Sequence, residues 1–248
     1  RVKKIKKFID HILLLFSFEK PYFDKEQVSC EFVGHPLLES EKNDKIDINQ
    51  LVGKNKAVIS VFAGSRVSEI NMHMPILLNF INLMKPKYND IIFVFHSTIE
   101  HSELIQFYIK KICLTNCEII RDKKIKSHLL RKSIFALAKS GTVSLEICNV
   151  KIPSIIFYKM NFINFLIIKM FVKIKYANII NIAANEEIIP ELLQSKCNAK
   201  NIYKVVSEFL DTPSKITEQV KKTKIVLESF KTDKSSSELA SLALNKFI

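Results

Sequence analysis

Three short stretches hold the residue types that a phosphorylated ligand demands. They are Gly64-Ser65-Arg66, Ser140-Gly141-Thr142 followed by Glu146, and the amide-rich run at residues 178–185, which includes Asn181. A diphosphate needs a fixed cation and backbone N–H groups that it can approach closely. Arg66 offers the cation, and Gly64 and Gly141 let the backbone come near a ligand. Ser140 and Thr142 can donate hydroxyls to phosphate oxygens or cap a helix. A ribose needs an acceptor for its vicinal hydroxyls, and Glu146 stands one turn beyond Thr142. Together the set suits a nucleotide diphosphate. Each member also has a plainer reading: Arg66 as a surface ion-pair partner, Asn181 as a loop amide, and residues 140–146 as an ordinary strand–helix turn. In that turn Thr142 is the N-cap, and Glu146 is favoured by the helix dipole.

These residues need elements that deliver them to one place. Residues 134–138 are an apolar run that breaks at Ser140-Gly141-Thr142, and a helical spacing resumes with Val143, Leu145, Ile147 and Cys148. A buried strand, a small-residue turn and a helix opening is an arrangement that holds phosphate on a helix N-terminus. The same alternation starts at residue 57. It predicts strands at 58–62, 91–95, 117–121, 134–138, 154–158 and 177–182, with helices at 67–83, 103–112, 125–131, 143 onward and 162–172. Continuous apolar strands alternating with helices predict an α/β fold, a parallel sheet covered on both faces. Ligands in such sheets bind beyond the carboxyl ends of the strands, where all three stretches fall.

Around this block the pattern changes. Residues 1–20 read as a basic amphipathic helix, 23–27 as a helical turn and 28–33 as a strand. Residues 38–54 are polar and aperiodic, the natural linker. Beyond Asn185 only helices are expected, at 187–195, 199–210, 216–230 and 236–247. The organisation expected is therefore 1–45 as the end of a preceding half plus linker, 46–198 as the ligand-binding domain and 199–248 as C-terminal helices. That tail would pack on the sheet domain, on a preceding half or on a second subunit, which would make a homodimer.

The chain has 248 residues, 48% of them hydrophobic, enough for a folded core. A net charge of +13 suits nucleic acid, an anionic membrane or a phosphorylated small molecule. Heavy use of Lys, Asn and Ile discounts that charge as a compositional bias. No zinc finger, helix-turn-helix or RNA-binding aromatic signature occurs, so nucleic acid is not an expected partner. The histidines lack a metal spacing, and no GxSxG or Walker A loop is present; no metal and no cofactor are expected. Five cysteines without a CxxC point to free thiols in a reducing compartment. The opening at Arg1, inside a basic segment, reads as the middle of a longer protein. Lys159, Lys169, Lys173 and Lys175 interrupt the most apolar region before it reaches a membrane span. Residues 158–176 can instead lie in a membrane interface or cover a sheet with lysine stems.

Five segments, in order and spacing, resemble lipid-A-disaccharide synthase. They are CEFVGHPLLE (30–39), VFAGSRVSEI (61–70), AKSGTVSLEICNVKIPSIIFYKM (138–160), VKIKYANIIN (172–181) and IIPELLQ (188–194). The resemblance implies the C-terminal, nucleotide-binding half of an inverting glycosyltransferase of the two-domain GT-B type, with a Rossmann-like sheet. It implies a UDP-2,3-diacylglucosamine donor and a 2,3-diacylglucosamine 1-phosphate acceptor. The products are the lipid A disaccharide and UDP, made at the cytoplasmic face of the bacterial inner membrane without a metal. It assigns Arg66 to the diphosphate, with Gly64 and Ser65 shaping its loop. Ser140, Gly141 and Thr142 fall to the phosphates, Glu146 to the ribose, and Asn181, Glu191 and Gln194 to the remaining substrate contacts. The general base is expected in the preceding half. Ala63 stands where the family has proline, and Asn185 where it has glycine, which puts the loop after Asn181 in question. Two alternatives remain: another UDP-sugar transferase of this architecture, or a non-catalytic module that binds UDP or membrane.

Overall fold

The computed structural model describes residues 2–39, 52, 53, 56–161, 165 and 175–247. Contacts divide the chain into two units, Arg1–Asn43 with Lys224–Ile248, and Asp44–Thr223. In the first unit, α1 (Val2–Ile5) precedes β1 (His11–Leu14), α2 (Lys20–Asp24) and β2 (Ser29–Phe32). The strands pair in parallel, His11 opposite Ser29 and Leu14 opposite Phe32. A single helix over 1–20 is therefore not what forms. A short apolar run such as His11–Leu14 satisfies either period, and pairing with β2 decides it. Phe16 and Phe18 pack on Phe230, so the two sequence ends of this unit share one small core.

The second unit is a doubly wound sheet. Its strands are β3 (Ala57–Phe62), β4 (Ile91–His96), β5 (Cys117–Ile120), β6 (Ser133–Ala138), β7 (Ser154–Tyr158) and β8 (Glu191–Leu193). They are all parallel, in the order β5-β4-β3-β6-β7-β8. Ile59, Phe93, Phe95, Phe135 and Phe157 are fully buried, as continuous apolar strands covered on both faces require. Helix α3 (Val67–Met84) lays Ile70, Met74, Leu77, Ile81 and Met84 along one face against this core. Helices α4 (Ile99–Lys111), α5 (Lys123–Lys132) and α6 (Val143–Asn149) follow β4, β5 and β6.

One expectation is overturned on the far side of the sheet. Residues 177–182 were expected as the last strand and 187–195 as a helix; the structure has them the other way round. Helix α7 (Ile179–Ala184) forms because Asn178 caps it, its side chain accepting from the Ile180 N–H at 2.9 Å. Asn185 ends it in the left-handed region, at φ 51°. Strand β8 then pairs with β7, Ile156 opposite Glu191 and Tyr158 opposite Leu193, so the region after Asn185 is not helical throughout. The helix expected at 162–172 falls outside the described residues. Helix α8 (Ala199–Asp211) sets Ile202, Val206 and Phe209 into the core beside α3. Residues 199–223 thus cluster with the sheet. The last helices are α9 (Pro213–Glu228) and α10 (Ser236–Leu244).

Candidate functional site

In this strand order the chain reverses direction across the sheet between β3 and β6. The loops leaving their carboxyl ends part there and open a crevice. A cavity of ≈ 280 Å³ sits in it. Phe62, Gly64 and Ser65 from the end of β3 line it, with His96, Ser97 and Thr98 from β4, Lys126 from α5, and residues 139–143 after β6. Five of the expected site residues are therefore brought together: Gly64, Ser65, Ser140, Gly141 and Thr142.

The two glycines serve differently. Gly64 has φ 145°, and a Cβ there would lie 2.8 Å from Glu69 Cβ, so both conformation and space require glycine. Gly141 has no such strain, and a Cβ there would meet no atom within 4 Å. What it leaves is open space rather than backbone freedom. Ser140 Oγ donates to the Ala177 carbonyl at 2.7 Å. Thr142 occupies the N-cap of α6 without a side-chain capping bond.

Arg66 flanks the cavity without lining it. Its side chain is 73% exposed and reaches Glu69 Oε1 at 3.2 Å. Such an exposed pair adds little stability. Glu69 is itself buried, and accepts the Ser65 N–H at 3.0 Å and Lys139 Nζ at 2.6 Å. Burial alone would raise the Glu69 carboxyl. The Lys139 hydrogen bond, the Ser65 N–H and the charges of Lys139 and Arg66 outweigh it and hold the group below its ordinary value. Arg66 is thereby tied through one carboxylate to Lys139 on the cavity wall. Glu146 reaches the same wall through Lys126, Oε2 to Nζ at 2.7 Å. Lys126 and Lys139 escaped the sequence reading. Lys139 directly precedes the Ser-Gly-Thr turn, a signal that was there to use. Lys126, in a lysine-rich segment, looks like any solvated face.

Two buried histidines brace the crevice. His73 Nδ1 donates to the Ala63 carbonyl at 2.6 Å, and its Nε2 accepts the Lys159 N–H at 3.1 Å. It thus ties the β3 loop to the end of β7, and burial pushes its pKa below the ordinary 6.5. His96 stacks on Phe62 at 4.5 Å with the rings 9° apart. Burial, helped by the Lys126 charge, pushes its pKa down to about 3.

The other three expected residues lie elsewhere. Glu191 and Gln194 line a larger cleft of ≈ 1030 Å³ with Lys159, Lys175 and Tyr176 among its other walls. Asn181 is fully buried and lines neither. Its Oδ1 accepts the Ile188 and Ile189 N–H groups, each at 2.9 Å. Its Nδ2 donates to the Ile189 carbonyl at 2.7 Å and to Glu191 Oε1 at 2.8 Å. Two protons and two lone pairs are the whole capacity of an amide, so Asn181 keeps nothing for a ligand. Glu191 also accepts the Ala177 and Asn178 N–H groups at 2.8 and 2.9 Å. Since Ser140 donates to Ala177, one hydrogen-bonded chain joins the turn in the first cavity to the wall of the second.

The family model for lipid-A-disaccharide synthetase matches residues 1–246. The chain belongs to the lipid-A-disaccharide synthase family. The Rickettsia prowazekii (strain Madrid E) synthase is 35% identical over 240 residues, 94% of this chain and 62% of that protein. The Rickettsia bellii (strain OSU 85-389) synthase is 35% identical over 251 residues, 97% of this chain and 64% of that protein. The chain therefore spans less than two thirds of the length of these synthases. Among solved structures, the S. aureus MnaA–UDP co-structure superposes with TM-score 0.69 at 14% identity, covering 95% of this chain and 60% of that one. WaaG, a glycosyltransferase involved in lipopolysaccharide biosynthesis, superposes with TM-score 0.56 at 10% identity, covering 93% and 61%. At these identities they speak for the fold alone. They bear out the expected Rossmann-like parallel sheet of GT-B type. Among the described residues no helix is long and apolar enough to cross a membrane.

Proposed function

We propose that this chain is the donor-binding part of a lipid-A-disaccharide synthase. In this reading UDP-2,3-diacylglucosamine lies with its diphosphate in the switch-point cavity. An acceptor hydroxyl of 2,3-diacylglucosamine 1-phosphate attacks the anomeric carbon, and UDP departs with inversion. The observation that carries the reading is the convergence of Gly64-Ser65 and Ser140-Gly141-Thr142 on one cavity at the sheet's switch point, with lysines 126 and 139 in its wall. That set holds an anion in place and stabilises the charge that grows on the leaving diphosphate. Arg66 needs only to exchange Glu69 for phosphate to join it, and Lys126 and Glu146 are poised to reach a ribose or phosphate beside it. Asn181 is a positioning residue: it shapes the loop that Glu191 and Ser140 share. Gln194 and Glu191 are left to the sugar side. Attack on the sugar requires a base, which we assign to a part of the synthase outside this chain. Docking on the cytoplasmic face of the inner membrane belongs to the same reading.

The test is calorimetric titration of UDP into the wild type, Gly141→Ala and Arg66→Ala. Gly141→Ala should leave thermal unfolding unchanged, because its Cβ meets no atom, while weakening UDP ~10-fold or more by standing where the phosphate approaches. Arg66→Ala should lose a charge-assisted hydrogen bond, also ~10-fold or more. In the complete synthase it should cut turnover sharply with the fold intact. Wild-type affinity for UDP in Gly141→Ala would remove the turn from the diphosphate site.

A further inference from the structure

Glu69 lies in the first turn of α3 with its side chain only 7% exposed. A buried carboxylate beside a site for anions would repel the ligand unless it is neutralised in place. Oε2 accepts the Ser65 N–H at 3.0 Å, from the loop after β3. Oε1 accepts Lys139 Nζ at 2.6 Å, from the turn after β6. Ser65 and Lys139 both line the switch-point cavity, one from each of the strands between which it opens. One carboxylate therefore clasps the two walls. A glutamate so placed also caps the helix by accepting an N–H that precedes it, and glutamine does this equally well. That role uses Oε2 alone and leaves the lysine on Oε1 unaccounted for. Arg66 shares Oε1 but sits differently. Its Nη1 reaches the oxygen at 3.2 Å from a side chain 73% exposed, whereas the Lys139 side chain is 21% exposed. Arg66 is thus the cation that can move and Lys139 the cation that stays. An ammonium has three protons to donate. Glu69 takes one, and among the described residues no other acceptor lies within hydrogen-bond distance of Lys139 Nζ. The Tyr158 ring, its centre 5.4 Å from Nζ, adds a weaker attraction.

We propose that Glu69 is the positioning residue of the anion site: it ties the β3 loop to the β6 turn and holds Lys139 as the fixed cation for a phosphate. The inference rests on the nucleotide reading above and adds the device that sets the span of the site. The charge of Glu69 is needed, and its shape is not enough. Only a carboxylate has lone pairs on both oxygens, so only it accepts from Ser65 and Lys139 together. Glutamine in the same place must turn an N–H toward one of them. When an anion arrives, Arg66 leaves Oε1 for the phosphate. Lys139 and the Ser65 N–H stay on Glu69, which remains neutralised. A cation already in position costs no reorganisation as charge grows on the leaving diphosphate.

The experiment titrates UDP and inorganic pyrophosphate into the wild type, Glu69→Gln, Lys139→Met and the double variant, with thermal unfolding as the check on folding. Glutamine keeps the cap on Ser65, so Glu69→Gln should fold. It should still weaken both ligands ~10-fold or more, the loss expected when a charge-assisted hydrogen bond is misplaced. Lys139→Met should weaken them by a similar factor. The double variant should bind no more weakly than the worse single one, because Glu69 acts through Lys139. If Lys139→Met does not fold once Glu69 has lost its partner, Lys139→Gln, whose amide still donates to the carboxylate, takes its place in the cycle. Wild-type affinity in Glu69→Gln overturns the proposal, because it leaves Glu69 a helix cap alone. Tighter binding in Glu69→Gln also overturns it, by making the carboxylate a competitor of the phosphate. Losses that multiply in the double variant overturn it too, since a merely structural glutamate acts independently of the lysine. A wild type that binds neither UDP nor pyrophosphate overturns the nucleotide reading itself, which separates the two failures.

Discussion

Replacing Asn181 by alanine separates a residue that touches substrate from one that holds the substrate's loop. The substitution removes four hydrogen bonds at once: two accepted from the Ile188 and Ile189 N–H groups, and two donated to the Ile189 carbonyl and Glu191. The site is fully buried, so water does not replace them freely. The Ile189 N–H and carbonyl are stranded, while the Ile188 N–H keeps its bond to the Glu186 carbonyl at 3.0 Å and Glu191 keeps its bonds from Ala177 and Asn178. Each stranded group costs about 1–3 kcal/mol, and partial relaxation of the loop returns some of it. A net loss of roughly 3 kcal/mol is expected, large among single substitutions. Urea unfolding of both proteins, followed by circular dichroism and fitted with a shared slope, reads the difference. UDP titration under native conditions reads the second half of the claim: the fraction that folds should bind with an affinity within a few-fold of wild type. A loss of stability below about 1 kcal/mol would refute the reasoning. So would an intact fold with UDP binding abolished, which would make Asn181 a ligand contact despite its filled amide.

Two further outcomes follow from the same geometry. Gly64→Ala forces a Cβ to within 2.8 Å of Glu69 Cβ at a φ of 145°; thermal or urea unfolding should show a loss of roughly 2 kcal/mol or more, and a neutral result would mean that the β3 loop is looser than it stands here. Acid should act through His96. Folded, its pKa is held at about 3 by burial, against 6.5 in an ordinary setting. Above pH 6.5 the ring is neutral in both states and its contribution is complete. As pH falls below 6.5 the unfolded chain takes a proton that the folded chain refuses, so stability drains away until the folded ring titrates near pH 3. The slope is about 1.4 kcal/mol per pH unit, or roughly 2 kcal/mol between pH 6.5 and 5. His96→Gln should lose that much less than wild type between pH 7 and pH 5, and parallel losses would show that His96 is not the group that titrates.

The alternation of strand and helix between residues 57 and 158 was legible in the sequence because each element there answers to its own local period. The runs at 58–62, 91–95 and 154–158 stand as strands for that reason. The loops carrying Gly64 and Gly141 were legible as well, since parallel strands place their carboxyl ends at one edge and glycine is scarce in this chain. Local pattern failed where a competing partner lay far along the chain. His11–Leu14 became a strand through pairing with residues 29–32. Residues 177–193 exchanged strand for helix because the Asn178 cap, the Asn185 turn and pairing with β7 outweighed hydrophobic spacing. The same holds for the site. Residue type alone nominated Arg66 and the Ser-Gly-Thr turn. It could not show that Asn181 spends its whole amide inside the protein, that Lys126 reaches Glu146, or that Glu69 joins Lys139 to Ser65. Periodicity is a property of neighbours in sequence and can be read there. Which protons and lone pairs are left over is a property of neighbours in space, and only the folded sheet brings residues 69 and 139 within reach of one another.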